Sequence, residues 1–296
     1  MDIGRYGVWT FQLDLVPSTQ AVEHVDELDE LGFGAVWFPE AVGQEAFTHA
    51  ALLLRGGVDI TVATGIASIY ARDAMAAAGA HKTLTEAYPE RFLLGLGVSH
   101  QPMVEGVRGH DYSKPYSAMK AYLEAMDSSM FFGAEPSTPP RRVLAALGPR
   151  MLELARDRTD GALPYFVPPE HTAIAREALG PDRLLAVEQA VVFDTDPAAA
   201  REKARTHTRT YTGLPNYANN LRRLVPDLTD DDFADAGSDR LVDLIVAWGD
   251  MDTVLARVQE HHDAGADHVC IQVIDGGTDV PAQSWRDLSA ALDLKG

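Results

Sequence analysis

The chain has almost no cysteine. Cys270 is the single one in 296 residues, which leaves no intramolecular disulfide and no cysteine-based metal cluster, a usage expected in a reducing cytosol. Positive charge is scarce too: 25 Lys and Arg stand against 44 Asp and Glu, a net charge of −19. A field of that sign repels polyanions, so nucleic acid and membrane surfaces are excluded as partners, and any anionic ligand must be held locally. No apolar run reaches the roughly 18–20 residues of a membrane span. The polar start Met1-Asp2-Ile3-Gly4-Arg5-Tyr6 lacks the apolar segment of a secretory signal. The expectation is a cytoplasmic protein.

Several catalytic signatures are also missing. No Gly-x-Ser-x-Gly elbow and no phosphate-binding Walker loop occurs, which removes serine hydrolase and nucleoside triphosphatase readings. The glycine pair Gly95-Leu96-Gly97 lies inside a strand and meets His100 where a dinucleotide-binding loop needs its third glycine. His261, His262 and His207 have no partner at metal-ligand spacing and read as solvated surface, so no metal is expected.

What the chain does contain is a repeated unit: an amphipathic helix, a glycine break, then a short strand apolar on both faces. The first strand reads Gly7-Val8-Trp9-Thr10-Phe11, the second Ala35-Val36-Trp37-Phe38, the third residues 59–66, the fourth residues 91–98. Further strands follow at residues 142–147, 160–163, 184–193 and 268–273. Helices are expected between them, with Ser18 or Thr19 capping the first and Gly32 closing it, and others over residues 45–54, 73–88, 114–132, 148–156, 169–179 and 253–264. Strands buried on both faces and separated by helices belong to a parallel sheet. Eight such units in one chain of this length point to a single-domain (β/α)₈ TIM barrel. One region breaks the rhythm: residues 194–252 replace the usual connection between the seventh and eighth strands with helical pieces. No linker isolates them, so they read as an insertion on the barrel. Cys270 falls inside the last strand, as a small core residue does.

Five landmarks in order resemble the bacterial luciferase-like family. They are the segment from Leu31 through Trp37-Phe38-Pro39-Glu40, Thr61-Val62-Ala63-Thr64-Gly65-Ile66, Glu90-Arg91-Phe92-Leu93-Leu94-Gly95-Leu96-Gly97, Ala146-Leu147-Gly148-Pro149-Arg150-Met151, and Asp160-Gly161-Ala162. Pro39-Glu40-Ala41-Val42-Gly43 and Gly213-Leu214-Pro215-Asn216-Tyr217 look most like its branch of F420-dependent oxidoreductases. The resemblance implies a barrel that uses coenzyme F420, or alternatively FMN, to oxidise or reduce a small molecule, and it implies a homodimer. An FMN-dependent monooxygenase and a non-catalytic flavin-binding homologue remain as rival readings.

Barrel active sites lie at the carboxyl ends of the strands. The first strand therefore offers Thr10 and Phe11. The second offers Glu40, as a proton donor or acceptor or as a structural carboxylate paired with an arginine; Ala41 stands where F420-dependent relatives carry a histidine. Gly65, Ile66 and Ala67 match the place where the family has a non-proline cis peptide supporting the cofactor ring. Gly97, Val98 and Ser99 end the fourth strand, and His100 stands where relatives have a glutamate, suited by its ordinary pKa to acid–base work. Gly148, Pro149, Arg150 and Met151 run from a strand straight into a helix. The free amides and positive dipole end of that helix, with Arg150 beside them, suit a phosphate. Pro164 and Tyr165 complete the expected pocket.

Overall fold

The computed structural model describes residues 1–295. Eight parallel strands close into a barrel: β1 (Tyr6–Trp9), β2 (Ala35–Phe38), β3 (Thr61–Thr64), β4 (Phe92–Gly97), β5 (Arg141–Leu144), β6 (Gly161–Ala162), β7 (Leu184–Phe193) and β8 (His268–Val273). Each pairs with its neighbour in order, and β8 pairs both with β7, from His268↔Ala186 to Val273↔Val191, and with β1, which closes the ring. Successive side chains alternate between two cores. Val8, Val36, Phe38 and Val62 point outward against the helices. Trp9, Ala35, Trp37, Ala63, Leu93 and Cys270 fill the inside.

The helices α1 (Ser18–Glu30), α2 (Ala46–Leu53), α3 (Ala74–Ala87), α4 (Pro115–Asp127), α5 (Pro149–Arg158) and α6 (Pro169–Leu179) cover the barrel. Glu45 caps α2 and Asp73 caps α3 through their carboxylates. Helix α1 starts without the expected hydroxyl cap: Ser18 is its first residue, and Pro17 precedes it with no side-chain bond to the free amides. Gly32 follows α1 with φ +85°, a left-handed turn that favours glycine. Helix α4 stops at Asp127, five residues short of the expected end, and Phe132 beyond it is 94% exposed.

Residues 194–250 leave the barrel between β7 and β8. They form α7 (Pro197–Thr212), α8 (Pro215–Leu224), the short α9 (Asp230–Phe233) and α10 (Asp239–Ile245). A strap, Ala247–Gly249, then pairs in parallel with the far end of β7 (Val191↔Ala247) before α11 (Met251–Asp263). The long β7 thus serves the barrel with its first part and the insertion with its last. Helix α12 (Ala282–Ala291) packs Trp285 and Leu288 into the outer core.

The solvated reading of the histidines is corrected here. His261 is fully buried, its Nδ1 2.7 Å from Thr172 Oγ1 and its Nε2 2.9 Å from Gln189 Oε1. Its neighbour His262, turned about 100° round the helix, remains partly exposed. His207 is 7% exposed and sits among tyrosine rings. At the amino-terminal end His268 accepts the Trp37 indole proton at Nε2 (3.1 Å) and therefore donates from Nδ1 to Gly4 O (2.8 Å), as a neutral imidazole. Burial holds its pKa down to about 4. Gly7 allows that approach, because a Cβ there would lie 2.5 Å from His268 Nε2.

Candidate active site

A cleft of about 900 Å³ opens at the carboxyl ends of the strands. Its floor is built where β3 and β4 end. The Gly65–Ile66 peptide is cis, and Ala67–Ser68 then resumes pairing with Leu96 and Gly97 of β4. A Cβ on Gly97 would fall 2.4 Å from the Ile66 side chain, and one on Gly65 2.6 Å from Trp9 Nε1. Only glycine fits at either position, so the floor presents backbone and an indole edge to whatever lies on it.

Glu40 secures this floor. Its Oε1 accepts from Ala46 N (3.1 Å), its Oε2 accepts from Ser68 N (2.8 Å), and Arg72 pairs with it. The carboxylate is 3% exposed. Of the two roles open to Glu40 in the sequence, this geometry is that of a structural anchor tying the loop after β2 to the bulge after β3.

His100 stands on the wall at the end of β4. Burial lowers its pKa, opposed by a hydrogen bond to the Asn216 side chain, so the ring is neutral near pH 7. Its Nδ1 is buried without a partner, and the ring lies 5.4 Å from that of Tyr217. Ser99, before it, has φ +55°, and its carbonyl accepts the Tyr112 hydroxyl at 2.9 Å.

The far end of the cleft is the start of α5. Gly148 flanks the helix with no side-chain cap on its amides, and Pro149 is its first residue. Arg150 lies over the Tyr116 ring at 4.1 Å, both lining the cleft. A second cation completes this end: Arg223 of α8, whose Nη1 is 3.4 Å from where a Gly148 Cβ would stand. Sequence reasoning missed Arg223 because it comes from the insertion, about 75 residues away along the chain.

Of the expected residues, Gly65, Ile66, Gly97, Val98, Ser99, His100, Gly148, Pro149, Arg150, Met151, Tyr165 and Glu40 line the cleft. Thr10, Ala67 and Pro164 do not. Thr10 turns inward, donating its hydroxyl to Gln12 Oε1 at 2.7 Å, because the chain enters a 3₁₀ turn at Gln12–Asp14 and hands the wall to Phe11. Ala67 is buried in the strand pairing, and Pro164 offers its carbonyl to Glu188 N. The insertion supplies further wall that sequence reasoning did not place in the site: Tyr211, Asn216, Tyr217, and His207, which it read as solvated surface. Among the described residues no group of three or more His, Cys, Asp or Glu could hold a metal ion, and no helix is long and apolar enough to cross a membrane.

A closed barrel with a glycine floor and a cationic helix start at one mouth offers room for a flat molecule and a place for an anion. The luciferase-like monooxygenase profile matches residues 6–268, and the chain belongs to that family. It is 25% identical, over 97% of each chain, to the Mycobacterium tuberculosis protein named "Putative coenzyme F420-dependent oxidoreductase Rv3520c". It is 28% identical to the 5,10-methylenetetrahydromethanopterin reductase of Methanolobus tindarius, over 52% of this chain and 53% of that one. Among solved structures, an F420-dependent secondary alcohol dehydrogenase in complex with an F420-acetone adduct superposes with TM-score 0.77 at 14% identity, covering 98% of both chains. A type II Baeyer-Villiger monooxygenase from Pseudomonas putida in complex with FMN gives 0.70 at 14% identity, covering 97% of this chain and 96% of that one. At these identities the structural likeness establishes the fold. Family membership makes the protein an oxidoreductase.

Proposed function

We propose that the protein is a coenzyme F420-dependent oxidoreductase acting on a small organic substrate. The observation that carries this reading is the shape of the cleft: a glycine floor at Gly65 and Gly97, ending at a helix start flanked by Arg150 and Arg223. A flat ring fits the first and a phosphate the second, so the residues present suit the cofactor. The F420 names of two curated and structural relatives support the choice of deazaflavin over FMN.

When bound, the deazaflavin supplies hydride donation or acceptance at its central ring. The protein's own residues do the rest. Arg150, Arg223 and the first amides of α5 hold the phosphate within an acidic protein. Gly65 and Gly97 let the ring lie against backbone, and Glu40 keeps that backbone in place through Ser68 and Arg72. His100, neutral and on the cleft wall, is the acid–base candidate for a molecule over the floor.

Titration of the purified protein with F420 and with FMN, followed by cofactor fluorescence, tests the reading. Quenching of deazaflavin at micromolar protein with FMN unaffected is the expected result. Tight FMN binding with NADH-dependent oxygen uptake would replace it with the monooxygenase. Deazaflavin binding without turnover across alcohols, aldehydes and enones would make the protein a non-catalytic binder.

A further inference from the structure

The inner half of the cleft is an aromatic chamber assembled from distant parts of the chain. Tyr165 follows β6, His207 and Tyr211 stand one turn apart on α7, Tyr217 lies in α8, and Gln272 lies near the end of β8. The Tyr211 ring is 5.2 Å from Tyr165, 5.1 Å from Tyr217 and 5.0 Å from His207. Tyr165, Tyr217 and His207 are 9% exposed or less, whereas Tyr211 keeps more of its surface open.

A polar thread runs through these rings. The Tyr165 hydroxyl donates to Gln272 Oε1 at 2.8 Å. A phenol has one proton, so the 3.0 Å contact between the Tyr165 and Tyr211 hydroxyls is donated by Tyr211. In this setting the chain runs Tyr211 to Tyr165 to Gln272, and its outer end, the Tyr211 oxygen, can only accept. Gln272 lines the cleft, and its amide is held through Oε1 by Tyr165. Turning the amide over exchanges its oxygen and nitrogen within the same shape. Nε2 then donates to Tyr165, Tyr165 donates to Tyr211, and Tyr211 donates into the chamber. One side-chain rotation thus reverses the whole chain, and each setting satisfies every hydroxyl.

We propose that this chain is the substrate-oxygen site, and that the substrate is an uncharged alcohol–carbonyl pair. Tyr211 accepts a hydrogen bond from the hydroxyl form and, with Gln272 turned over, donates one to the carbonyl form. The inference rests on the oxidoreductase reading for the pairing of the two forms. The charge state of the chamber agrees with it. Burial holds His207 down to about 3, pushes Tyr211 up to about 12 and raises Glu188, beneath the rings, to about 8, so all three are neutral at pH 7. Arg150 and Arg223 stand at the helix start, and the other charged groups on the cleft wall are the acids Glu40 and Asp275. A carboxylate-bearing substrate would be desolvated in the chamber without a countercharge.

Cyclohexanol, cyclohexanone and cyclohexanecarboxylate, titrated by ligand-observed NMR with and without F420, test the proposal. In the native protein the first two should bind within about threefold of each other and the carboxylate about tenfold or more weaker. Tyr211→Phe should weaken alcohol and ketone by about five- to tenfold. Gln272→Leu at pH 7, which leaves Tyr211 as the remaining acceptor for Tyr165 and so fixes Tyr211 as a donor, should weaken the alcohol about fivefold while leaving the ketone within about threefold; thermal melting confirms that each variant is folded. Equal or tighter carboxylate binding, no binding of either neutral probe, an unaffected Tyr211→Phe protein, or an equal change for both neutral probes in Gln272→Leu overturns the proposal. Deazaflavin fluorescence in the same samples separates the two readings. Retained cofactor binding with lost probe discrimination overturns this inference alone, whereas absent cofactor binding overturns the functional reading and leaves the chamber to be judged by the cofactor-free titration.

Discussion

The two ends of the barrel are built on opposite rules. At the amino-terminal end charged side chains tie the loops together through several bonds each. Arg176 donates to three carbonyls, Gly180, Arg183 and Gly265, and pairs with Asp267 at 2.6 Å. Arg91 reaches the carbonyls of Leu54, Gly56 and Ile60, and Asp160 takes Arg141 on one oxygen and the Arg142 amide on the other. At the carboxyl end Trp9 Nε1, His100 Nδ1 and His207 Nε2 are buried without partners. Buried polar groups left unmade cost free energy; others lie elsewhere, such as Thr61 Oγ1, Thr138 Oγ1 and His262 Nε2, but these three belong to residues that line the one large cleft, where a ligand can repay that cost. Barrels divide stability and function between their ends in this way.

The largest expected effect weighs the two ends together. Burial lowers the pKa of His49, His81 and His268 to about 4 and of His207 and His261 to about 3, which outweighs the opposite effect of the raised carboxyls of Asp14 and Glu188. Between those values and the ordinary histidine range near 6.5 the unfolded chain binds more protons than the folded one, so stability is complete above that range and falls with acidification. Urea unfolding should lose several kcal/mol from pH 7 to pH 4. His207→Phe, at the cleft, should leave most of that loss in place; its disappearance would put the acid-labile groups at the functional end and break the comparison. Next in size, Arg176→Ala should cost about 2–4 kcal/mol in urea unfolding, since it strips three carbonyls and a carboxylate of their partner, while deazaflavin affinity stays unchanged.

Two smaller effects probe the other end. Arg150→Ala should weaken F420 binding by about 1–3 kcal/mol, as for a charge-assisted contact, with no change in unfolding midpoint. Arg223→Ala should lose about 1 kcal/mol of binding, less because its guanidinium also holds Asn220 Oδ1 at 2.8 Å. Fluorescence titration reads both. A shift in unfolding midpoint that matches the loss of affinity would show that these arginines serve the fold.

The barrel was legible because its signal is local and repeated. β7 and β8 fall on the residues that their largely apolar runs predict, and the glycine floor follows from where β3 and β4 end. Boundaries near polar turns were harder: of the two residues offered by the first strand, Phe11 lines the cleft and Thr10 turns away, because a 3₁₀ turn starts at Gln12. His261 and His262 show the limit of composition. Adjacent histidines on a helix face different surroundings, and only the packing of α11 against α6 and β7 decides which one is buried. The insertion was visible as an interruption of the rhythm, and its helices were outlined by periodicity. Nothing local says over which end of the barrel they fold, so Arg223, Tyr211 and Tyr217 stayed outside the predicted site.

The insertion reaches both extremities of the cleft, with Arg223 over Gly148 and Tyr211 and Tyr217 in the aromatic chamber. It is stitched to itself by Arg201 with Asp243 and returns through the strap on β7. On the proposed function, a single cassette spliced between two neighbouring strands therefore contributes both to the grip on the cofactor and to the choice of what reacts with it. Recombination that exchanged this one stretch among barrels of the family would then alter both traits together while leaving the glycine floor untouched.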